Sequence, residues 1–239
     1  MCSVILNLQF MSYTEKYAVL VAGGKGLRMG TALPKQFLPL QDKPILYHTI
    51  HAFKSAFHDV QLILVLPQEQ ISYTQMILQS FPERLDITIV SGGETRFHSV
   101  QNGLKAVGEN SIVFVHDGVR PLVSIDLIRR CYDQAVEKGS AIPAVAVTDS
   151  MRIIEDDDSR PIDREYMRII QTPQTFRSDI ILPAFEQPYQ SSFTDEATVV
   201  ENYGTNIYLI DGERSNIKVT TPEDMIIAEA LLKERMLHA

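Results

Sequence analysis

The sequence predicts an α/β protein with a mostly parallel sheet and helices on both of its faces. Short runs rich in β-branched residues, such as 61–66 (QLILVL) and 111–116 (SIVFVH), alternate with segments of helical periodicity. Strands this continuously apolar are typical of parallel sheets, because both faces of such a sheet are buried. A chain of 239 residues is long enough to form one such domain and to bury a full core without disulfides.

The predicted elements follow in order along the chain. Apolar runs predict strands over residues 17–22, 61–66, 87–90, 111–116, 141–147 and 206–210. Helical patterns predict helices over residues 45–57, 71–81, 96–107, 178–185 and 195–202. Two further helices carry capping signals. One runs from the Ser124 cap to Lys138 and stops at Gly139, and the last begins at Thr221-Pro222 and ends near Leu237.

The alternation of strands and helices breaks after Val147. Residues 149–167 contain the acidic run Glu155-Asp156-Asp157-Asp158, followed by Arg160-Pro161. Two interpretations remain open, a solvated acidic loop and a hairpin arm that projects from the sheet. Loops of this length without secondary structure are uncommon in compact domains and are often functional. The simplest organisation is a flexible N-terminal tail over residues 1–15 and one domain over residues 16–239 that carries the arm.

Composition and charge argue against several classes of protein. The net charge of −8 disfavours a nucleic-acid partner. No apolar run reaches the ~20 residues of a membrane span, and Cys2 and Cys131 form neither a disulfide framework nor a zinc cluster. These features predict a cytoplasmic protein in a reducing compartment. An anionic ligand would therefore need positive charge that is concentrated locally.

The strongest functional signal follows the first predicted strand. Glycines there allow the backbone to approach a ligand closely, and their N–H groups at the carboxyl end of a strand can bind an anion. Lys25, Arg28 and Lys35 add three positive charges, and no acid occurs from Gly23 to Lys35. We therefore predict a phosphate site in a segment that reads Ala22-Gly23-Gly24-Lys25-Gly26-Leu27-Arg28-Met29-Gly30, then Pro34-Lys35-Gln36.

Two common phosphate motifs do not fit this segment. A Walker A loop needs Ser or Thr after Gly-Lys, whereas Gly26 follows Lys25. A dinucleotide fingerprint needs G-x-G-x-x-G and an acid at the end of the next strand, whereas Gly30 stands one position too far along and the second predicted strand ends without an acid. The spacing therefore disfavours a nicotinamide-dependent dehydrogenase. A plain glycine-rich surface loop does not explain why the glycines coincide with basic residues.

Five segments, taken together, resemble one family. The glycine-rich segment with Pro34-Lys35-Gln36 is similar to the nucleotidyltransferases that activate sugar or polyol phosphates. Four more segments narrow the resemblance to the 2-C-methyl-D-erythritol 4-phosphate cytidylyltransferases of the non-mevalonate isoprenoid pathway, over about residues 17–232. They are Gly92-Gly93-Glu94-Thr95-Arg96 with Ser99-Val100, Val115-His116-Asp117-Gly118-Val119-Arg120-Pro121, Gln171-Thr172-Pro173-Gln174 and Asn216-Ile217-Lys218-Val219-Thr220.

The resemblance implies a single Rossmann-like nucleotidyltransferase domain with a projecting β-arm for dimerisation. It implies transfer of a cytidylyl group from CTP to a methylerythritol phosphate, with Mg²⁺ or another divalent cation held mainly by the CTP phosphates. The protein ligands of that metal stay unknown. The implied catalytic residues are Arg28, Lys35, Arg164 and Lys218. The implied nucleotide-binding residues are Ala22, Gly23, Gly24, Lys25, Gly26, Gly92, Gly93, Ser99, Asp117 and Gly118. The implied substrate-binding residues are Asp117, Arg120, Ser150, Arg164, Thr172, Thr194 and Lys218.

The implied reaction needs charge stabilisation and alignment more than a general base, because its nucleophile is already an anionic phosphate oxygen. In the family the arm crosses to a second subunit of a homodimer, where its arginine acts in trans; here that residue is Arg164. For three residues a purely structural role is also consistent with the sequence. Arg120 also fits an ion-pair partner, His116 a packed histidine at a strand end, and Thr194 part of a helix cap.

Departures from the family pattern leave alternatives open. The family usually has Ala-Ala where this chain has Gly118-Val119, and Asp-Thr-x-Lys where this chain has Asp149-Ser150-Met151-Arg152. These differences affect the predicted acceptor pocket more than the predicted nucleotide site. A ribitol-5-phosphate cytidylyltransferase would suit the segment Pro34–Leu40 equally well. A non-catalytic nucleotide-binding module on the same fold is the alternative from another class, since fold does not fix function.

Overall fold

The computed structural model describes residues 13, 15–23, 33–156 and 158–237. Its strands are β1 (Glu15–Val21), β2 (Pro39–Leu40), β3 (Lys43–Pro44), β4 (Gln61–Leu66), β5 (Ile87–Ser91), β6 (Ser111–Asp117), β7 (Ser140–Ala146), β8 (Met151–Glu155), β9 (Asp158–Ile162), β10 (Arg168–Ile170), β11 (Gln174–Arg177) and β12 (Leu209–Asp211). Its helices are α1 (Ile45–Ala56), α2 (Ile71–Leu78), α3 (Arg96–Leu104), α4 (Ile125–Lys138), α5 (Ser178–Ala184), α6 (Glu196–Asn202) and α7 (Pro222–Leu237). Short 3-10 turns cover Lys35–Phe37, Gln68–Gln70 and Arg164–Tyr166.

An eight-stranded sheet forms the centre of the described chain. Its order is β10-β7-β11-β6-β1-β4-β5, and β12 pairs with β7. The four strands β6, β1, β4 and β5 are parallel to one another, and β12 is parallel to β7. Of these, β1, β4 and β6 bury nearly all their apolar side chains, as the continuous runs predict. The predicted α/β class with a mostly parallel sheet is confirmed.

Two antiparallel strands are missing from the sequence prediction. β11 lies between β6 and β7 and runs antiparallel to both, and β10 pairs antiparallel with β7. β11 is only four residues long and begins and ends with polar residues, Gln174 and Arg177. Its fully buried centre, Thr175 and Phe176, is too short to produce a recognisable apolar run.

Three predicted boundaries differ from the structure by three residues, and the others differ by less. α2 ends at Leu78 rather than residue 81, because Phe81 N–H bonds to Leu78 O in a closing turn. α3 ends at Leu104 rather than residue 107 for the same reason, with Val107 N–H bonding to Leu104 O at 3.0 Å. The strand predicted over residues 206–210 is paired with β7 only from Leu209.

Helices cover both faces of the sheet, as predicted. α1, α2 and α4 pack on one face around Phe53, Phe114 and Leu127. α3, α5 and α6 pack on the other face around Phe97 and Phe176. Burying one such side chain stabilises the fold by about 1.5–3 kcal/mol relative to exposure. α7 contributes Ala228 to a third cluster, with Leu40, Val119 and Val219 among its members.

The predicted caps of α4 are both present. The Ser124 hydroxyl accepts a hydrogen bond from Leu127 N–H at 2.9 Å. Gly139 ends the helix with φ at 93°, in the left-handed region that glycine adopts without steric penalty. These two residues fix where the chain enters and leaves the helix between β6 and β7.

The described residues of the segment 149–167 contain a hairpin rather than an irregular loop. β8 and β9 pair antiparallel with each other from Met151 opposite Ile162 to Glu155 opposite Asp158, and they form a sheet of their own. Arg164 follows in a 3-10 turn capped by the Asp163 side chain. The chain then rejoins the central sheet as β10.

The described part of the predicted tail belongs to the fold. Tyr13 is buried, its hydroxyl donates to Asp179 at 3.3 Å, and Tyr132 donates to its carbonyl at 3.2 Å. Glu15 is the first residue of β1. The other residues predicted as tail lie outside the described residues. No helix in the described ranges is long and apolar enough to cross a membrane.

Candidate active site

A pocket of about 310 Å³ opens at the carboxyl ends of β1 and β6. This edge is where open α/β sheets bind ligands, and the volume falls in the ~300–1,000 Å³ range of small-molecule sites. The described residues that line it are Val21, Ala22, Gly23, Lys35, Gln36, Gly93, Glu94, Thr95, Arg96, Ser99, Asp117, Val119 and Lys218. Four of the five segments that carry the family resemblance therefore contribute directly to one pocket.

Gly23 and Ala22 bring the end of β1 to the pocket. Ala22 N–H bonds to Val65 O and Gly118 N–H bonds to Val21 O, each at 2.9 Å, so the neighbouring strand ends are held together. A Cβ on Gly118 would lie 2.9 Å from the Ala22 Cβ, which explains the small residues on both sides. The predicted site residues Gly24, Lys25, Gly26 and Arg28 lie outside the described residues.

Gly93 and Ser99 line the pocket at the start of α3, and Gly92 lies beside Ser99 without lining it. The Ser99 hydroxyl accepts from Gly93 N–H at 3.1 Å and donates to Thr95 O at 2.9 Å. A Cβ on Gly93 would lie 2.5 Å from the His98 Cβ, and one on Gly92 would lie 3.2 Å from the Ser99 hydroxyl oxygen. The two glycines thus let the helix pack closely against the turn from β5.

Lys35 and Gln36 are held inside the pocket wall by backbone carbonyls. The Lys35 ammonium donates to Val219 O at 3.2 Å, and the Gln36 amide donates to Ala22 O at 2.8 Å. Both side chains are buried, and Gln36 also contacts Gln70. Lys35 therefore lies beside the chain segment that carries Lys218.

Asp117 is the centre of a cationic cluster at the end of β6. Its Oδ2 atom lies 3.2 Å from Arg120 Nε and 3.1 Å from Lys218 Nζ, and its Oδ1 atom lies 3.5 Å from Arg96 Nε. Burial alone would raise the pKa of Asp117, but the positive charges of Arg96, Lys218 and Arg120 hold it well below its ordinary value. The carboxylate is consequently ionised at neutral pH.

Arg96 is shared between two acids. Its guanidinium binds both oxygens of the buried Glu196 as well as Asp117. Burial alone would lower the pKa of Arg96, but Glu196 and Asp117 raise it above its ordinary value. Burial raises the pKa of Glu196, although Arg96 opposes this. Neither residue belongs to the predicted site. The motif around Gly93 contains Arg96, whereas its partner lies 100 positions along the chain and has no local signal.

Thr172 and His116 support the backbone of Asp117 from inside the protein. Asp117 N–H donates to the Thr172 hydroxyl oxygen at 3.1 Å, and that hydroxyl contacts His116 Nδ1 at 3.0 Å. His116 Nε2 lies 3.2 Å from Arg120 O, which assigns the proton to Nε2 and leaves Nδ1 to accept from Thr172. Burial lowers the pKa of His116 to about 3. The Thr172 hydroxyl is thus used within the protein and is not part of the pocket lining.

Arg120 forms an ion pair with Asp117, which is the structural role that the sequence allowed beside substrate binding. Besides Asp117, it binds Asn216 O through Nη1 at 2.9 Å, and Asn216 in turn donates to Thr172 O at 2.8 Å. Burial lowers the pKa of Arg120, which Asp117 opposes. Arg120 therefore ties the loop before Lys218 to the end of β6.

Three predicted substrate residues lie away from this pocket within the chain. Ser150 is exposed just before β8, and Arg164 is exposed and donates to Thr148 O. Thr194 is exposed and precedes Asp195, which forms a capping box with Thr198 at the start of α6. None of the three lines the pocket.

Comparison with known proteins shows which family the chain belongs to. The model of the 2-C-methyl-D-erythritol 4-phosphate cytidylyltransferase family matches residues 17–234. A relative of that name from Bacteroides fragilis is 46% identical over 215 residues, which are 90% of this chain and 98% of that protein. One from Clostridium botulinum is 42% identical, over 90% of this chain and 98% of that protein.

Solved structures give the same result. The crystal structure of 4-diphosphocytidyl-2C-methyl-D-erythritol synthase from Anaerococcus prevotii superposes with a TM-score of 0.80 and 29% identity, over 94% of this chain and 98% of that one. The 2-C-methyl-D-erythritol 4-phosphate cytidylyltransferase of Thermus thermophilus gives a TM-score of 0.71 and 30% identity, over 90% and 98%. The chain belongs to the 2-C-methyl-D-erythritol 4-phosphate cytidylyltransferase family.

Proposed function

We propose that this pocket transfers the cytidylyl group of CTP to 2-C-methyl-D-erythritol 4-phosphate, giving 4-diphosphocytidyl-2-C-methyl-D-erythritol and pyrophosphate. Family membership supports this activity. The observation that carries the proposal is the convergence of Lys35 and Lys218 on a pocket walled by Gly23 and Gly93. Cations and closely approaching backbone are what a triphosphate and a second phosphate require.

The chemistry exchanges one phosphoanhydride bond at the α-phosphorus of CTP for another. An oxygen of the acceptor phosphate forms a bond to the α-phosphorus of CTP, and the bond from that phosphorus to the bridging oxygen of the β-phosphate breaks. Pyrophosphate leaves with the electron pair of that bond, so no proton has to be removed. Lys35, with Arg28 from the glycine-rich segment, would stabilise the charge that develops on the α-phosphate oxygens.

The nucleotide base would bind beside Gly92, Gly93 and Ser99. Cytosine presents an N3 acceptor and an N4 amino donor, whereas uracil reverses this pattern. Backbone groups and a fixed hydroxyl discriminate between the two because they cannot rotate to suit the wrong base. The hydrogen bonds of Ser99 to Gly93 and Thr95 provide this kind of rigid wall.

The acceptor phosphate would bind between Lys218 and an arginine from a second subunit. Arg164 lies outside the pocket of its own chain, which fits an arm that reaches the pocket of a partner. Ile154 and Tyr166 of the arm are 70% and 85% exposed, and Ile169 of β10 just after it is 53% exposed. Exposed large apolar side chains of this kind favour coverage by a partner. The proposal therefore includes a homodimer with composite sites.

A divalent cation belongs to the proposal as well. The described residues contain no group of three or more potential metal-binding side chains. The acids among the described lining residues are Asp117 and Glu94, and both Asp117 oxygens already lie near cations. This donor set fits a cation held mainly by the CTP phosphates, with Asp117 or Glu94 as the adjacent carboxylate. When bound, the cation would offset part of the triphosphate charge.

The test is pyrophosphate release from CTP with each of two acceptors, 2-C-methyl-D-erythritol 4-phosphate and ribitol 5-phosphate. We expect faster turnover with the methylerythritol phosphate and loss of activity when EDTA removes divalent cations. Faster turnover with ribitol 5-phosphate would assign the chain to the alternative acceptor. CTP binding without turnover on either acceptor would favour a non-catalytic nucleotide-binding module. The cytoplasmic location also stays a prediction, which cell fractionation tests.

A further inference from the structure

The ion pair between Arg96 and Glu196 joins the first turns of α3 and α6 at the pocket. Arg96 presents the end of its guanidinium to Glu196, with Nη2 lying 3.1 Å from Oε2, and presents its Nε side to Asp117 at 3.5 Å. Glu196 has no exposed surface. A single planar cation thus connects a buried acid to the acid at the centre of the site.

Glu196 is itself held rigidly by β11. The Gln174 amide donates to Asp195 Oδ2 at 2.9 Å, and its carbonyl oxygen accepts from Ala197 N–H at 2.8 Å. Asp195 and Ala197 are the two neighbours of Glu196 in the chain, so one glutamine side chain fixes the helix start on both sides of it. The position of Arg96 is therefore set by the central sheet through Glu196.

The other two cations on Asp117 differ in how they are anchored. Arg120 is buried and also binds Asn216 O. The Lys218 side chain is 40% exposed, and Asp117 is its salt-bridge partner. Lys218 can therefore release the Asp117 carboxylate and bind an incoming phosphate. Arg96 cannot turn away in the same manner, because the buried Glu196 carboxylate would then lose its counterion.

We propose that Glu196 and Arg96 are positioning residues that keep the Asp117 carboxylate oriented once Lys218 binds the substrate phosphate. Arg96 lines the pocket, but its guanidinium already serves two acids, so its role is to hold Asp117 rather than to bind phosphate. The inference rests on the proposed function, because it assumes that Asp117 faces bound substrate during cytidylyl transfer.

The first test removes the negative charge of Glu196 and keeps the shape of its side chain. Glu196→Gln should lower kcat by about 10²-fold, the usual effect of a small displacement of reacting groups, and should change the KM for CTP much less. The matched control is Glu201→Gln, an exposed position on the same helix, which should retain the wild-type kcat. An unchanged kcat in Glu196→Gln would overturn the proposal.

The second test asks whether the effect passes through Asp117. In an Asp117→Asn background, measured in single turnovers, Glu196→Gln should cause little further loss of rate, because the group it positions is already impaired. If Glu196→Gln lowers the rate by the same factor in both backgrounds, it acts independently of Asp117 and the proposal is wrong. A general loss of structure would give that independent result.

A further variant covers the case in which Glu196→Gln does not fold. Arg96→Lys keeps one positive charge but lacks the planar guanidinium that binds both oxygens of Glu196 and also faces Asp117, and it should show the same dependence on Asp117. The activity of the wild-type protein shows which of the two proposals has failed, this inference or the proposed function. If the wild type releases no pyrophosphate from CTP and either acceptor, the proposed function fails. If the wild type is active and the effects are independent, only the positioning role fails.

Discussion

The Lys35 ammonium donates a hydrogen bond to the backbone carbonyl of Val219, 3.2 Å away. This contact joins the chain after β1 to the loop that carries Lys218, and Val219 N–H in turn bonds to Val119 O at 2.9 Å. Two lysines from segments far apart in the sequence therefore face one pocket. Their joint position is the basis of the first prediction.

Lys35→Met should lower kcat by about 10²–10³-fold, because the proposed mechanism uses this ammonium to stabilise charge on the transferred phosphate. The measurement is pyrophosphate release at saturating CTP and acceptor. Lys233→Met, at an exposed position of α7, is the control and should behave as the wild type. A Lys35→Met variant with the kcat of the wild type would contradict the catalytic role.

Gly93→Ala should raise the KM for CTP and destabilise the fold by about 1–3 kcal/mol. The added Cβ would lie 2.5 Å from the His98 Cβ, so the first turn of α3 must shift together with Ser99. Gly103→Ala, within α3 itself, is the matched control, because its Cβ would lie 2.7 Å from Val19 Cγ1 in the core. We expect that control to lose stability while keeping the KM for CTP.

His116→Asn should flatten the pH dependence of stability between about pH 6.5 and pH 3. Burial lowers the pKa of His116 to about 3 from 6.5, so within this window the unfolded chain binds a proton that the folded chain does not. This stabilising contribution is full above pH 6.5 and decreases as the pH falls, by about 1.4 kcal/mol per pH unit. Urea unfolding across this range measures the slope.

Exposed His58 provides the control for the pH experiment. His58→Asn should leave the slope of the wild type unchanged. Should the His116→Asn variant keep the full slope, the neutral buried state of His116 would not be the source of this pH dependence.

Mixing two inactive variants should restore activity if the arm acts on a partner subunit. Arg164→Ala removes the arm arginine and Arg28→Ala removes the predicted transition-state cation, so a mixed dimer contains one site with both residues intact. The measurement is pyrophosphate release after subunit exchange, with each variant alone as the control. Absence of recovery under conditions where exchange is demonstrated by labelled subunits would exclude action in trans.

Local sequence patterns predict much of the architecture, but they do not predict every element of it. β4 coincides with its apolar run, and the Ser124 cap and Gly139 stop define α4, because these signals lie within a few neighbouring residues. β11 was not predictable, since its burial depends on insertion between β6 and β7 rather than on its own four residues. A sequence pattern reflects neighbours along the chain, whereas β11 is defined by neighbours in space.

The candidate site likewise contains residues that sequence motifs indicate and residues that only contacts in space reveal. The motifs indicate Lys35, Asp117 and Lys218, which the structure brings to one pocket. Glu196 has no such signal, because its importance arises from a contact across 100 positions with Arg96. The hydroxyl of Thr172, predicted as a substrate contact, also binds the backbone N–H of Asp117 and the ring of His116, and these contacts have no signal in the sequence.

The pairing of Ala146 with Arg168 closes the base of the arm. Because β7 and β10 hold the two ends of this excursion side by side, changes in the length or sequence of residues 147–167 need not alter the strands that carry the pocket. The reach of the arm and the geometry of the nucleotide site can thus evolve separately. Under the proposed homodimer, a lineage could adjust how its subunits meet, and which residue one subunit offers to the other, while the strands that carry the pocket stay constant.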